Sequence, residues 1–276
     1  MTTPTRFEVN GERHYLTDKP DKAYPSVTTI LGKTASEKSK NALLNWQLKN
    51  PGGSAKAAAR GSAVHQACEN YIRGIEVEIQ EEYEPFWNGL SKHLDKYDSF
   101  IWSERPLKAE WSHCTGDDGI SRVWSHEYQY CGCPDLVGIR NGVVLIADFK
   151  TSVNPYCRYF PKGGTDRSKF TGWNKFHKCA MQLAAYAQAF GETLNINIDS
   201  AQILVSTPET DQSFILHGGE LDKFRTKWLQ KVRRYKEIKE EEEDTKHLPE
   251  TRDKLTCSRV STKRSNNTKH CPAAVG

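Results

Sequence analysis

The sequence predicts a mixed α/β fold, a central mixed β-sheet flanked by helices, and three observations carry that prediction. Short segments rich in β-branched and aromatic residues, bounded by turn signals, lie between residues 122 and 217. Longer segments with apolar residues at helical spacing lie before, among and after them. The length of 276 residues is near the upper size for one hydrophobic core, so one elaborated domain is expected rather than two equal ones.

In chain order, residues 1–24 read as an irregular arm with a short hairpin at Asn10-Gly11. A helix is expected over 40–49, ending before Pro51-Gly52-Gly53. Ser54 reads as the N-cap of a second helix to about residue 73, with Val64, Cys68, Tyr71 and Ile72 on its apolar stripe. A third helix is expected over 83–103. Strands of one sheet are expected over 122–130, 136–140, 143–149, 201–206 and 212–217. An Ala-rich helix covers 179–190, and a long one covers 221–243, with Leu221, Phe224, Trp228, Val232 and Tyr235 at helical spacing. These readings place the main domain at 25–245 and a basic, disordered tail at 246–276.

Composition bounds the function. A hydrophobic fraction of 37% and a mean hydropathy of −0.72, with no run of about eighteen apolar residues, argue against a membrane partner and for a cytoplasmic protein. The net charge of +4 is too small to imply nucleic-acid binding, but residues 158–178 and the tail are locally basic. Eight cysteines without a CxxC pair read as reduced thiols, and structural zinc is not expected.

The chemistry concentrates in CPDLVGIRNGVVLIADFKTS, residues 133–152. Asn141-Gly142 between two apolar runs signals a two-residue type I′ turn. That turn makes Arg140 face Val143 and, counting outward, Asp135 face Asp148, with Cβ atoms roughly 5 Å apart. Period two puts Lys150 on the face of Asp148. Opposed carboxylates call for a cation, and two carboxylates with water and a phosphate suit Mg²⁺ or Mn²⁺.

Gly132-x-Pro134-Asp135 followed by Asp148-Phe149-Lys150 resembles the PD-(D/E)XK nuclease motif. Arg60-Gly61-Ser62-Ala63-Val64-His65 is similar to the RGxxxH helix of RecB-like members, and Gln182 to Tyr186 to their QxxxY helix. Pro25-Ser26-Val27-Thr28 and Lys150-Thr151-Ser152 resemble the mitochondrial genome maintenance exonuclease branch and its bacteriophage relatives. The resemblance implies a restriction-endonuclease-like core and a phage-encoded, metal-dependent DNA exonuclease of replication, recombination or repair that prefers single-stranded ends. It implies metal ligation by His65, Asp135, Asp148 and the Phe149 carbonyl, catalysis by Lys150 with Asp135 and Asp148, and active-site roles for Gln182 and Tyr186. Glu110 is similar to an extra acidic ligand in related exonucleases, with Glu127 as the competing choice. The alternatives are a duplex exonuclease of lambda type, an endonuclease on the same fold, and a non-enzymatic DNA-binding scaffold. Some relatives carry an iron–sulfur cluster held by one cysteine before the core and three after it; only Cys257 and Cys271 follow the core here, which argues against one.

Gly61 inside a helix costs about 1 kcal/mol relative to alanine, which points to close approach of another backbone or of DNA. Residues 156–178 interleave Arg158, Lys162, Lys169 and Lys175 with rings including Trp173, in what reads as a long loop. Cations on a phosphate track with rings for stacking suit a single strand, so these residues and Arg60 are candidate DNA contacts. The competing reading is that the rings pack on their own scaffold.

Overall fold

In a computed structural model, residues 6–19, 21–116, 118–161 and 167–246 are described. A mixed sheet with helices on both faces organises them, as the sequence predicts. Its strand order is β11 (Asp211–His217), β10 (Ser200–Ser206), β9 (Val143–Thr151), β8 (Leu136–Arg140), β4 (Ser99–Ser103) and β5 (Arg105–Pro106). Only β9 and β10 run parallel. Parallel neighbours need a crossover, and helix α5 (Arg167–Leu194) supplies it.

Side chains alternate across β9, and the two helical layers divide them. Leu145, Ala147 and Phe149 pack with Val64, Cys68, Leu90 and Leu94 of α3 (Gly53–Ile72) and α4 (Glu84–Leu94). Ile146 packs with Leu183, Ala184 and Phe190 of α5 and with Trp228 of α6 (Gly218–Lys246). By the same period, Asp148 and Lys150 point to the α5 layer. The stripe Leu221, Phe224, Trp228, Val232 and Tyr235 is buried, as expected of α6.

Several sequence expectations change. The arm is a three-stranded sheet of β1 (Arg6–Val9), β2 (Glu12–Leu16) and β3 (Ala23–Pro25), whose Tyr15 and Tyr24 join the core. Its Asn10-Gly11 turn has φ of 52° and 75°, the left-handed pair that a type I′ turn requires. Helix α1 (Val27–Lys33) follows, capped by the Ser26 hydroxyl, and then α2 (Glu37–Lys49), capped by Ser36. Ser54 is inside α3, not its cap; the left-handed Gly52 begins that helix. The segment 83–103 is helical only to Leu94, and Ser99–Ser103 is strand β4, where Phe100, Ile101 and Trp102 have the aromatic and β-branched character of a sheet. Residues 122–130 do not join the main sheet. They contribute β6 (Val123–Ser125), which pairs only with β7 (Tyr130–Gly132). Much of the expected loop is the first half of α5; α6 takes in Lys246, and the rest of the expected tail and Lys162 lie outside the described residues.

Candidate metal centre and active site

The site forms where strands stop pairing. Ladder β8–β9 keeps the register predicted from its turn, Arg140 with Val143 through Leu136 with Ala147, and ends there. Ladder β4–β8 ends with Ser103 opposite Leu136. One step beyond both ladders, Glu104 follows the end of β4, Asp135 precedes the start of β8 and Asp148 lies within β9, on three adjacent strands. Strand β9 continues alone against β10 to Thr151, opposite Ser206. Its freed backbone groups are taken by side chains: the Phe149 N–H donates to Asp135 Oδ2 at 2.8 Å, and the Phe149 carbonyl accepts from His65 Nε2 at 2.9 Å.

With Nε2 donating, His65 turns Nδ1 toward Asp135 Oδ1 at 3.7 Å and Glu104 Oε1 at 3.8 Å. Ligand atoms of these three residues lie within 4.8 Å of one another and are partly exposed. Desolvation disfavours the charged ring, but Asp135 and Glu104 outweigh it and push His65 up to about 8. Hydrogen bonding to His65 holds Glu104 below its usual value. Glu104 has a φ of 44°, a left-handed conformation that is uncommon outside glycine and concentrates at functional sites. Its N–H donates to the Asp135 carbonyl at 3.3 Å, and its own carbonyl accepts from the Ser121 N–H at 2.8 Å.

Asp148 occupies the other half. Fully buried, it forms an ion pair with Lys150 and accepts from Gln182 Nε2 at 3.1 Å. Gln182 also donates to the Tyr186 hydroxyl at 3.1 Å, one helical turn on. Burial pushes the Asp148 carboxyl up against the opposing pull of Lys150. Burial disfavours the Lys150 charge, yet Asp148 raises the ammonium well above its usual value. Tyr186 reaches this position because position 132 is glycine: a Cβ there would stand 2.2 Å from the Tyr186 ring. Gly132 thus has a packing role that its place in a strand signals.

The structure brings together His65, Asp135, Asp148, Lys150, Gln182 and Tyr186, and of the expected metal ligands it groups His65 and Asp135 with Glu104. Glu104 stands where Glu110 or Glu127 was expected; Glu110 is exposed beside Lys108 at 3.9 Å, and Glu127 is exposed in the β6–β7 turn. Asp148 is engaged by Lys150 and Gln182 and is not one of the three clustered ligands. The Phe149 carbonyl is bonded to His65.

The expected DNA contacts divide. Arg60 Nε donates to Thr151 Oγ1 at 3.1 Å, and Lys175 Nζ to Ser152 Oγ at 3.0 Å, so both flank the end of β9. Arg158 is instead paired with Glu220 and donates to the Ile215 carbonyl at 3.1 Å. Trp173 packs on Phe160, Phe170 and His177, at ring separations of 5.3, 6.0 and 4.1 Å, which is the scaffold-packing alternative. Lys169 lies exposed near the start of α5. Cys68, Cys114, Cys131, Cys133, Cys157 and Cys179 are free thiols, and none belongs to the metal-competent group.

No family model and no curated protein matches this chain. A solved structure, that of the protein SSO0001, aligns over 37% of this chain and 40% of its own length, with 15% identity and a TM-score of 0.22, a likeness too slight to carry an argument. Among the described residues, no helix is long and apolar enough to cross a membrane.

Proposed function

We propose that the protein is a metal-dependent phosphodiesterase that degrades DNA from its ends, with single strands as the preferred substrate, on a PD-(D/E)XK-type core. One observation carries this reading: three carboxylates lie one step beyond the last β4–β8 and β8–β9 pairs on three adjacent strands, with His65 beside Glu104 and Asp135 and Lys150 paired with Asp148. The donor set fits a divalent cation. Glu104 and Asp135 offer hard oxygen ligands, and His65 offers Nδ1 because Nε2 is committed to Phe149. These residues would hold Mg²⁺ or Mn²⁺, which would supply an acidified water and charge neutralisation at the phosphate.

The remaining residues have roles the chain itself defines. Asp148 keeps Lys150 charged and aims it; Gln182 and Tyr186 fix Asp148 in turn. The Lys150 ammonium, partly exposed, is suited to orient the attacking water or to stabilise negative charge on the phosphoryl oxygens. The resemblance to RecB-like nucleases supports DNA as the substrate, and the basic groups beside the site support a polyanion.

The test is digestion of end-labelled linear single strands, linear duplex and circular single strands with Mg²⁺, and with excess EDTA. Linear strands are expected to be degraded, circles to resist, and chelator to stop the reaction. Faster loss of duplex than of single strands would favour the lambda-type reading; cleaved circles would make the protein an endonuclease; inert wild-type protein with bound DNA would leave a scaffold.

A further inference from the structure

Gly61 lies about one turn before His65 on the same face of α3, a rise of about 6 Å. Glycine inside a helix costs about 1 kcal/mol relative to alanine, and close contact with the protein itself does not explain it. Among the described residues outside its own stretch of helix, a Cβ at Gly61 would meet no atom within 4 Å. This overturns the expectation of a neighbouring backbone and leaves an open surface bordering the metal-competent cluster.

Two cations from opposite layers bond to consecutive residues at the end of β9. Arg60 comes from α3, stacked on the Phe86 ring at 4.6 Å and tied to Thr151; Lys175 comes from α5, above the Tyr156 ring at 5.7 Å and tied to Ser152. Neither has a carboxylate at ion-pairing distance among the described residues, whereas Arg158 and Arg73 each do. Desolvation, and then the Arg60 charge, hold the Lys175 ammonium below its usual value, so the two cations sense one another. Holding like charges together beside bonded hydroxyls costs free energy that an anion between them removes.

We propose that Arg60 and Lys175 hold the phosphodiester adjacent to the one presented at the His65, Glu104 and Asp135 cluster, with Gly61 as the floor against which the strand's backbone lies. The inference rests on the phosphodiesterase reading for the identity of the ligand, a single strand of DNA. It makes the site at least two phosphates long, with the second one read by charge and not by base.

The experiment measures binding of a labelled short oligothymidylate in excess chelator, where no turnover is needed, across a series of salt concentrations. The double variant Arg60→Ala/Lys175→Ala is expected to weaken binding at least about tenfold at low salt and to flatten the salt dependence by about 0.7 log unit or more, the slope of one lost single-strand phosphate contact. Arg60→Lys should recover most of the slope. Gly61→Ala should leave the salt slope intact, raise the thermal midpoint of the free protein, and weaken oligonucleotide binding by obstructing the floor. Thermal melts of each variant establish that it is folded. An unchanged slope in a folded double variant overturns the clamp; a Gly61→Ala protein that binds as well as wild type overturns the floor. Wild-type protein that binds but never cleaves would sink the phosphodiesterase reading while leaving the phosphate site in place.

Discussion

The two halves of the site hold the same kind of charge in opposite states. On the α5 side, Asp148 is buried, yet it is balanced within the chain by Lys150 and held by Gln182. On the α3 side, Glu104 and Asp135 are partly exposed and share one imidazole. A carboxylate without water must carry its counter-charge with it, whereas one at the solvent edge can wait for an ion. On the proposed reading this difference divides the work: the closed half would position a lysine, and the open half would recruit a cation.

The largest effect should come from breaking the closed half. Lys150→Ala leaves a buried carboxylate without its partner, a loss of about 3 kcal/mol or more in such pairs, and it should also reduce hydrolysis more than tenfold. Asp148→Asn removes the charge along with the pair, so it should melt closer to wild type while hydrolysis falls as far. Denaturant unfolding of the two purified variants checks this. Equal stability of Lys150→Ala and wild type would mean that Asp148 carries no buried charge, and the contrast between the halves would fail.

The open half should respond in metal affinity. Glu104→Gln is expected to weaken Mn²⁺ binding on the order of 10–100-fold, since even ligand-supporting residues produce losses of that size, whereas Glu110→Gln should bind as wild type does. Calorimetric titration of both variants decides between the two acids. Glu104→Gly sharpens the point: relieving the left-handed strain should stabilise the protein by up to about 1 kcal/mol while abolishing the ligand. A Glu104→Gly protein that keeps wild-type metal affinity would remove Glu104 from the site.

These halves differ as much in legibility as in charge. Asp135, Asp148 and Lys150 are readable from the sequence because a two-residue turn at Asn141-Gly142 leaves only one register, and register sets the face of every later residue. Gln182 and Tyr186 are readable because spacing by four fixes a shared helical face. Glu104 is hidden for two local reasons. The β4–β8 register shifts between Phe100 and Trp102, which breaks the alternation that marks a strand, and the left-handed Glu104 ends it without a glycine. The length of α5 is obscured because interleaved rings and cations draw the eye to a binding loop. Yet Phe170, Trp173, Phe176 and Ala180, three and four apart, carry a helical period. The pairing of Arg158 is hidden because its partner, Glu220, is remote in sequence, and single-chain charge counting does not see such pairs.

A last effect, distant from the site, tests whether lysine-balanced acids behave alike elsewhere in the molecule. Glu12, in β2, is buried and accepts from the Tyr235 hydroxyl at 2.6 Å and from Lys239 Nζ at 2.8 Å, with Lys33 Nζ at 3.1 Å. Burial alone would raise this carboxyl, but hydrogen bonds from Lys239, Tyr235 and Lys33 outweigh it and hold it at about 2, below the usual 4.5. A depressed folded-state value favours the native state once the unfolded chain's carboxyl is ionised. The contribution is therefore fully present above about pH 4.5 and is lost as pH falls from there toward 2. Because the lysines are partly exposed and screened, we expect about 1–2 kcal/mol, less than the full shift implies. Glu12→Gln should be less stable than wild type at neutral pH, and the gap should narrow as pH falls through that window. Urea unfolding of both proteins at neutral pH and at about pH 3 measures it. A gap that does not narrow would show that Glu12 contributes through its shape and hydrogen bonds, not its charge, and that lysine balancing is peculiar to the buried Asp148.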